Sequence, residues 1–360
     1  MKASEPPERV DLGRLGERAL IRRIRNTGVA ALNSGVEVGI GDDAAVLAVP
    51  AGNRLLATTD LVIEDVHFRR SSAAPADIGW KALAVNLSDI AAMGGTPCWA
   101  LVALAVPADT DVDAVDAFYA GMEDAAAPHG VTVVGGDTAA SPDGWMVNVT
   151  LLGLHPGAPR LRSQARHGDM IAVTGSLGAS AAGLFALEMG LDRARERGVA
   201  PGRLAEITRA HLRPRARVAE GRWLGQAAGV HAMMDCSDGL ATDLGHICRE
   251  SGVGARVRLH RVPVAAAARE AADVLGQDAW QWAVGGGEDY ELLLTCGAEA
   301  AERLAVGIAD ATGTPLTFIG QMDGPSGEVV FVDDGDVPVT MRPGYEHFRV
   351  TSTSMDKPDG

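Results

Sequence analysis

The hydrophobic pattern of the chain predicts alternating strands and helices. In the first half, short apolar runs have the length of buried strands, and longer segments carry the apolar spacing of amphipathic helices. The expected strands are 44–47, 55–60, 99–106, 131–134 and 145–154. The expected helices are 12–24, 77–93 and 111–128. Gly94, Gly95 and Pro97 mark the end of the second helix, because glycine and proline continue a helix poorly.

The pattern restarts after a segment rich in proline and arginine. Residues 155–168 contain two prolines and three arginines and are the best candidate for a linker. Beyond them we expect strands at 170–174, 231–235 and 291–296, followed by short closing strands. The expected helices are 178–189, 215–228, 238–250 and 298–311. This alternation predicts an α/β (α+β) protein with domains at 11–156 and 157–349, between a flexible extension, 1–10, and a flexible tail, 350–360.

Composition and charge narrow the class of protein. At 360 residues the chain is long for one hydrophobic core, and 47% hydrophobic residues are typical of a globular protein. A net charge of -15 argues against nucleic acid or an acidic membrane as a partner. No segment has the roughly 20 apolar residues of a membrane span, and residues 1–10 lack the apolar core of a signal peptide. We therefore expect a cytoplasmic protein.

Acidic residues surround the first two expected strands. Asp42 and Asp43 precede one strand, and Thr58, Thr59 and Asp60 close the other. If the two strands are neighbours, these side-chain oxygens meet at one rim of a sheet. Converging carboxylates repel one another unless a hard cation lies among them, and Mg²⁺ takes oxygen ligands of this kind. An ordinary turn followed by a common strand exit explains the same residues.

Two further stretches carry oxygen ligands in similar positions. Asn86 and Asp89 are three residues apart near the end of a predicted helix and share one face of it. A carboxylate there opposes the helix dipole, which favours a bound cation. Gly136 and Asp137 lie in the expected exit loop of the fourth strand, where glycine lets the backbone approach an anion and the carboxylate can hold a metal. Solvated polar turns remain the alternative for both.

The second half contains two more polar stretches. Asp235, Ser237 and Asp238 lie between a strand and a helix, where Ser237 or Asp238 can cap the helix and an anion is favoured. Capping alone does not explain three polar oxygens within four positions. The glycines 285–287 precede Glu288 and predict a loop pressed against a ligand, with a flexible hairpin turn as the alternative.

Two motifs that look like phosphate sites are discounted. The run Thr174-Gly-Ser-Leu-Gly-Ala-Ser lacks the lysine of a P-loop, and we interpret it as tight packing of a strand against a helix. The run His211-Leu-Arg-Pro-Arg could contact a phosphate. Its Pro214 favours the interpretation that it shapes the start of a helix.

Taken together, these motifs resemble those of the thiamine-monophosphate kinases, a family of the aminoimidazole ribonucleotide synthetase superfamily. The resemblance extends over about residues 12–348, and Cys236 departs from it, since the family usually has an apolar residue there. The matching stretches are Gly-Ile-Gly-Asp-Asp-Ala-Ala at 39–45, Thr-Thr-Asp at 58–60, His-Phe at 67–68, Trp-Lys-Ala-Leu-Ala-Val-Asn-Leu-Ser-Asp-Ile-Ala-Ala-Met-Gly at 80–94, Gly-Gly-Asp-Thr at 135–138, Val-Thr-Gly at 173–175, His-Leu-Arg-Pro at 211–214, Asp-Cys-Ser-Asp-Gly-Leu at 235–240, Gly-Gly-Glu-Asp-Tyr-Glu-Leu at 286–292 and Gly-Tyr-Glu-His-Phe at 344–348.

The resemblance implies a two-domain aminoimidazole ribonucleotide synthetase-like fold, with N-terminal domains pairing in a homodimer and the nucleotide in a cleft. It implies ATP-dependent phosphorylation of thiamine monophosphate to thiamine diphosphate. The implied ligands of several Mg²⁺ ions are Asp43, Thr58, Thr59, Asp60, Asp89, Asp137, Asp235 and Asp238. The implied ATP contacts are Gly136, Asp137, Arg162 and Ser237. The implied contacts to thiamine monophosphate are His67, Glu288 and Tyr345.

The implied reaction needs no catalytic side chain. A phosphomonoester has a second pKa of about 6 and is mostly dianionic at neutral pH, so no general base is required. The obstacle is repulsion between two anions, which several Mg²⁺ ions can offset while they place the reacting groups in line. We therefore expect direct transfer without a covalent enzyme intermediate.

Three related families and two other classes of protein are the alternatives to this function. A selenophosphate synthetase relies on an N-terminal cysteine, whereas the first cysteine here is Cys98. A hydrogenase maturation protein ends in a cysteine, whereas this chain ends Lys357-Pro-Asp-Gly. The purine-pathway synthetases remain an alternative, although the Gly-Tyr-Glu-His-Phe stretch does not suit them. A metal-dependent phosphohydrolase and a non-catalytic metal-binding protein remain alternatives that a product assay and binding measurements separate.

Overall fold

The computed structural model describes residues 11–28, 35–40, 44–341 and 344. The helices are α1 (Leu12–Leu15), α2 (Glu17–Arg25), α3 (Pro75–Ala92), α4 (Val112–Ala126), α5 (Ala179–Met189), α6 (Leu191–Glu196), α7 (Pro201–Leu212), α8 (Val218–Gln226), α9 (Leu240–Ser251), α10 (Ala266–Leu275), α11 (Ala279–Gly285) and α12 (Ala301–Thr312). The strands are β1 (Val36–Val38), β2 (Val46–Leu47), β3 (Arg54–Ile63), β4 (Thr96–Val106), β5 (Thr132–Ala140), β6 (Met146–His155), β7 (Met170–Thr174), β8 (Val230–Asp235), β9 (Ala255–Arg258), β10 (Leu292–Cys296), β11 (Leu316–Gln321), β12 (Val329–Val332) and β13 (Pro338–Val339).

The first half contains a four-stranded sheet in the order β3-β6-β4-β5, in which only β4 and β5 run parallel. Side chains of β3 alternate between its faces, so Leu56 and Val62 are buried whereas Leu55 and Leu61 are exposed. Helix α3 packs on the buried face and against α4. A side chain at Gly79 of α3 would lie 1.9 Å from the carbonyl of Phe118, so glycine permits this close helix pair. On the opposite face, called the open face below, the described side chains Leu55, Leu61, Leu101 and Met146 are exposed.

The second half contains a seven-stranded mixed sheet in the order β13-β12-β9-β11-β7-β10-β8. Helices α5, α7 and α10 pack together beside it, and α9 contacts β8 and β10. The two halves meet where α3 packs against α8 and β8. Contact with both halves explains why α3 is apolar on almost all sides.

Several predicted elements match the structure closely. Strand β7 has the predicted bounds, α3 lies within two residues of the predicted 77–93, and α5 begins one residue later than predicted. Helices α6, α7, α10 and α11 were not predicted. Helices α6 and α11 have only 6 and 7 residues, too few for a clear apolar period, and the buried face of α10 consists mostly of alanine.

Two predictions about the first half are wrong. The first two expected strands are not neighbours, because β2 pairs with β1 and β3 pairs with β6. The segment 135–138 is not an exit loop but continues β5, which stays paired with β4 as far as Ala140. Strands β3 and β5 pair with strands that are distant in sequence, whereas β2 pairs with the nearby β1. Among the residues that the structure describes, no helix is long and apolar enough to cross a membrane, and a cytoplasmic location stays a prediction.

A buried ion-pair network joins β7, β10 and α8. Arg217 donates to both oxygens of Glu291, at 2.7 and 2.5 Å. The hydroxyl of Thr174 also donates to Glu291 at 2.7 Å, and that of Thr314 donates to Glu220 at 2.5 Å. The side chains of Arg217 and Glu291 are only 14% and 6% exposed, so neither charge has water as a substitute partner.

We expect Arg217→Met to lower the free energy of unfolding by about 3–5 kcal/mol, because Glu291 then stays buried without its cation. Urea denaturation measures the change. Arg203→Met is the control, since Arg203 makes only exposed pairs with Glu206 and Glu270 and its removal leaves stability nearly unchanged. Equal denaturation midpoints for the two variants would contradict the prediction.

Candidate active site

A cleft of about 1070 Å³ lies between the two halves. Strand β3, the loop after it and helix α3 form one wall, and helices α5 and α7 with the segments 235–238 and 285–290 form the other. Seven of the predicted site residues line the cleft. They are Asp60, His67, Asp89, Asp235, Ser237, Asp238 and Glu288.

Helix α3 presents its polar side chains to the cleft. Ile78, Lys81, Val85 and Asp89 are spaced by three or four residues and all line the cleft, as expected for one helix face. Asn86 lies off this face. Its side chain is buried and donates to the carbonyl of Ala82 in the same helix at 3.1 Å, so the expected pairing of Asn86 with Asp89 as ligands is wrong.

Three carboxylates from three elements meet at one end of the cleft. Asp60 comes from β3, Asp89 from the last turn of α3, and Asp235 is the final residue of β8. The hydroxyl of Thr58 donates to Asp89, and that of Ser88 donates to Asp235 at 2.6 Å. These hydrogen bonds orient two of the three carboxylates, and they link β3 to α3 and α3 to β8.

Burial raises the pKa values of all three carboxylates, and repulsion by neighbouring carboxylates raises those of Asp60 and Asp235 further. Burial and the charge of Asp89 raise the pKa of Asp60 to about 6. Burial and the charges of Asp89 and Asp60 raise the pKa of Asp235 to about 7, against the hydrogen bond from Ser88. Burial also raises the pKa of Asp89, while the Thr58 hydrogen bond and the charge of Arg162 act in the opposite direction. The cluster therefore carries negative charge that its surroundings do not offset.

This donor set fits a hard divalent cation. Carboxylate and hydroxyl oxygens are the ligands of Mg²⁺, and a cation among Asp60, Asp89 and Asp235 would remove their mutual repulsion. Among the described residues, no three His, Cys, Asp or Glu side chains already stand in the geometry of a metal site.

The loop after β8 turns its polar side chains toward the cleft. Gly239 precedes α9, and no side chain caps it there. Instead Asp243, in the first turn of α9, accepts hydrogen bonds from the backbone N–H groups of Asp238 and Gly239 at 3.2 and 3.0 Å. The expectation that Ser237 or Asp238 caps this helix is therefore wrong, and both side chains lie on the cleft wall.

The glycine run 285–287 packs against the protein itself. A side chain at Gly286 would lie 2.2 Å from the carbonyl of Trp282, and one at Gly287 would lie 2.5 Å from the carbonyl of Ser237. The N–H of Glu288 donates to that same Ser237 carbonyl at 2.7 Å. The expected loop pressed against a ligand is thus a loop pressed against the segment after β8, and the two together form one wall.

Glu288 is held by charges that the sequence motifs did not reveal. Its Oε1 lies 2.7 Å from Nζ of Lys81, and its Oε2 lies 3.2 Å from Nδ1 of His211. Burial would raise the pKa of Glu288, but the charge of Lys81 and the hydrogen bond of His211 lower it to about 2. Glu288 is therefore an ionised carboxylate at neutral pH.

His211 contradicts the interpretation of its motif as a helix start. It is a buried residue near the end of α7 that lines the cleft, and its Nδ1 lies 3.1 Å from the hydroxyl of Ser180. Helix α8 begins only at Val218, beyond Pro214. Composition and spacing do not indicate which buried helix end faces a cleft. The family resemblance was the one feature of the sequence that pointed to a role for His211.

His67 presents a defined tautomer to the cleft. The backbone N–H of Ile63 donates to its Nδ1 at 3.1 Å, so in the neutral imidazole the proton is on Nε2. The backbone of Asp65 in the same loop has a positive φ of 62°. This tight turn brings the imidazole back over the end of β3.

Two predicted metal ligands, Thr59 and Asp137, lie on the open face of the first sheet instead of in the cleft. The hydroxyl of Thr59 is 3.0 Å from that of Thr150 on β6. Asp137 is exposed on β5, opposite Ala103 of β4, and Gly136 precedes it. Strand β5 lies three strands from β3, which is roughly 14 Å across a sheet. Within one chain Asp137 therefore does not join the carboxylate cluster, and the ligand roles of these residues stay predictions.

The remaining predicted residues are Arg162, Asp43 and Tyr345. Arg162 is exposed and close enough to Asp89 for its charge to lower that pKa. Asp43 and Tyr345 lie outside the described residues. Gly344, the neighbour of Tyr345, lines the cleft and donates its N–H to the hydroxyl of Thr242 at 3.1 Å.

The glycine-rich start of α5 already has a carboxylate partner. The N–H groups of Gly178 and Ser180 donate to Asp289 at 2.6 and 3.1 Å. Because a protein carboxylate takes the place that a phosphate would take in a P-loop, the interpretation of this motif as packing is supported.

Comparison with known proteins identifies relatives along most of the chain. Residues 41–155 match the AIR synthase related protein N-terminal domain, and residues 166–333 match its C-terminal domain. The thiamine-monophosphate kinase of Escherichia coli (strain K12) is 39% identical over 92% of this chain and 98% of its own length.

Solved structures give the same result. Thiamine-monophosphate kinase from Stenotrophomonas maltophilia K279a is 37% identical with a TM-score of 0.76, over 88% of this chain and 96% of that one. AaThiL complexed with AMPPCP and TMP is 31% identical with a TM-score of 0.72, over 94% of this chain and 99% of that one.

The raised pKa values predict how stability depends on pH. Asp60 and Asp235 bind protons more tightly in the folded protein than in the unfolded chain, where aspartate has a pKa of about 3.9. Their stabilising contribution is complete below about pH 4 and is lost as the pH rises through about 6 and 7. In EDTA we expect the thermal midpoint to fall between about pH 5 and 7.5.

The variant Asp235→Asn should make this fall smaller, because the amide keeps the acceptor for Ser88 but carries no proton equilibrium. Differential scanning calorimetry across the pH range measures it. Asp192→Asn, at an exposed position, serves as control and keeps the wild-type slope. Identical slopes for the two variants would show that the carboxylate cluster does not repel as described.

Proposed function

The chain belongs to the thiamine-monophosphate kinases, a family of AIR synthase related proteins, and we propose that its cleft transfers the γ-phosphate of ATP directly to thiamine monophosphate with the help of several Mg²⁺ ions. One observation of the structure carries the proposal. The carboxylates of Asp60, Asp89 and Asp235 converge at one end of a large cleft, where burial raises the pKa values of all three and the charge of Asp89 raises those of the other two further. A site of this kind binds cations and, through them, phosphates.

Asp60, Asp89 and Asp235 would hold the ions, with Asp43 and Asp238 as further ligands. When bound, Mg²⁺ would offset the repulsion between the two anionic reactants and align them for transfer. The protein's own part is to orient Asp235 and Asp89 and to favour their ionised forms against the burial that raises their pKa values. Ser88 and Thr58 do this through their hydrogen bonds, as described above.

The other end of the cleft suits the organic part of thiamine monophosphate. Leu184, Phe185 and Trp282 line it, and the two aromatic rings are 5.6 Å apart. Apolar and aromatic side chains are suitable neighbours for flat heteroaromatic rings, one of which is a cation in thiamine. Glu288 provides a permanent carboxylate beside them, and His67 provides an N–H donor at Nε2.

No general base is assigned in this reaction. The phosphate of the acceptor is already mostly dianionic at neutral pH, since its second pKa is about 6. The oxygen of thiamine monophosphate attacks the γ-phosphorus of ATP as the bond to the β,γ-bridging oxygen breaks, giving thiamine diphosphate and ADP. A phosphorylated residue trapped with labelled ATP would contradict direct transfer.

We expect Asp60→Asn and Asp89→Asn each to lower kcat by about 100-fold or more, because each removes one ligand charge from the cluster. The assay follows thiamine diphosphate and ADP by chromatography with ATP, thiamine monophosphate and limiting Mg²⁺. Asp192→Asn is the control with wild-type turnover. Near-normal rates in both cluster variants would defeat the proposal, and free phosphate as the sole product would favour a phosphohydrolase.

We further propose a homodimer in which the open face of the first sheet is covered by a second copy. Exposed apolar side chains support this, since Leu55, Leu61, Leu101 and Met146 are 37–49% exposed on that face. Asp137 lies on the same face, too far from Asp60 to share an ion with it in one chain. In a dimer it would complete the site of the partner.

This arrangement predicts complementation between two inactive variants. A heterodimer of Asp60→Asn and Asp137→Asn subunits, isolated with two different affinity tags, would contain one site with both carboxylates intact. We expect about half of the wild-type activity from it, whereas each variant alone is inactive. If both carboxylates belonged to a site within one chain, the heterodimer would also be inactive.

A further inference from the structure

Lys81 differs from the other cationic residues of this chain. The sequence contains only three lysines, Lys2, Lys81 and Lys357, among many arginines. Lys81 lies in the middle of α3, and only 4% of it is exposed. A buried ammonium group is stable only when nearby acceptors replace its water. The identity of those acceptors indicates what the residue does.

The ammonium of Lys81 joins the two walls of the cleft. It lies 2.7 Å from Oε1 of Glu288, which belongs to the second half of the chain. It also donates to the backbone carbonyl of His67, in the first half, at 3.3 Å. One charge thus contacts both of the described residues that we expect to bind thiamine monophosphate.

The two loops that Lys81 contacts have unusual backbone conformations. Glu288 has a φ of 65°, and Asp65, two residues before His67, has a φ of 62°. Residues other than glycine adopt positive φ angles only where the surrounding structure compensates for the cost. Backbone hydrogen bonds hold both residues, from Asp65 N–H to the Phe68 carbonyl at 2.8 Å and from Glu288 N–H to the Ser237 carbonyl at 2.7 Å, and Lys81 adds a contact to each loop.

A second contact fixes the remaining oxygen of Glu288. Nδ1 of His211 lies 3.2 Å from its Oε2, and the buried hydroxyl of Ser180 lies 3.1 Å from the same nitrogen. Both carboxylate oxygens are therefore held by side chains from two different helices. The carboxylate has little freedom to rotate away from the pocket.

Helix α3 also connects Lys81 to the acidic cluster. Lys81 and Asp89 lie on one face of this helix. They are eight residues apart, which is about 12 Å along the helix axis at a rise of about 1.5 Å per residue. A rigid helix keeps the end of the cleft that takes the organic rings at a constant distance from the end that takes the phosphates. The substrate must span both ends.

We propose that Lys81 is a positioning residue for thiamine monophosphate, which holds Glu288 and His67 in the arrangement that binds the organic part of the substrate. The inference rests on the proposed function. Lysine suits this place better than arginine, because a compact ammonium group can serve two acceptors in different directions, whereas a guanidinium group is a planar fork. Lys81 acts through Glu288 and His67 and takes no part in phosphoryl transfer.

The test measures KM and kcat separately for both substrates. We expect Lys81→Met to raise KM for thiamine monophosphate by at least about 10-fold, while KM for ATP changes by less than about 2-fold. A residue needed only for folding would reduce the amount of active enzyme, and so kcat, and would leave both KM values unchanged. An unchanged KM for thiamine monophosphate would overturn the proposal. Arg203→Met, which breaks exposed ion pairs far from the cleft, is the control.

A double-mutant cycle tests the route through Glu288. In a Glu288→Gln background the neutral amide no longer needs a cation, so adding Lys81→Met should change KM for thiamine monophosphate by less than about 3-fold. The same fold-change in both backgrounds would overturn the proposed route. If Lys81→Met does not fold, the comparison uses Lys81→Arg, for which we expect a several-fold higher KM for thiamine monophosphate alone. An unchanged KM in Lys81→Arg would then overturn the proposal.

The two proposals can fail separately. If the wild-type protein forms no thiamine diphosphate from ATP and thiamine monophosphate, the proposed function is wrong. If the wild-type protein forms it and the Lys81 variants have normal KM values, only the positioning role is wrong.

Discussion

The structure depends on bringing like charges together at the junction of its two halves. Asp60, Asp89 and Asp235 come from β3, α3 and β8, and each of them would be more stable in water. Their pKa values are raised, which means that folding costs free energy at neutral pH unless a cation is present. Carboxylates with strongly shifted pKa values are commonly found at functional sites. The stability lost by burying them is therefore consistent with a ligand site.

Helix α3 makes this arrangement possible. It packs on the first sheet, on α4, on α8 and on β8, and hydrogen bonds of Asp89 and Ser88 connect its last turns to β3 and β8. Lys81 and Asp89 are thereby presented with opposite charges at two ends of one rigid surface. The acidic end offers oxygen ligands to cations, while the end at Lys81 holds an ionised Glu288. One helix thus separates two kinds of recognition in one cleft.

The walls of the cleft are stabilised mainly by the protein itself. The glycines at 286 and 287 allow their loop to lie against the segment after β8, and Asp243 and Asp289 satisfy backbone N–H groups near the cleft. These contacts prepare the site before any ligand arrives, which reduces the cost of ordering it on binding. The motifs around the acidic residues therefore contain as many packing residues as ligands.

The sequence alone predicted the fold class, several of the long elements and seven of the residues that line the cleft. Apolar periodicity is a local property, so α3, β7 and α5 could be predicted from it. The family motifs implied metal-ligand roles for Asp60, Asp89 and Asp235, and the structure places all three on the wall of one cleft. Spacing alone did not predict that they would converge, since its expected pairing of the first two strands is wrong.

Which polar side chains lie close to one another became clear from the tertiary structure alone. Asn86 turned away from the cleft, Asp137 lies on the opposite face of the sheet, and Lys81 meets Glu288 across more than two hundred residues of sequence. Each of these outcomes depends on strand order and helix packing between distant segments. Such long-range contacts leave no periodic signal in the chain, because they are set by how whole elements fit together and not by the neighbours of each residue.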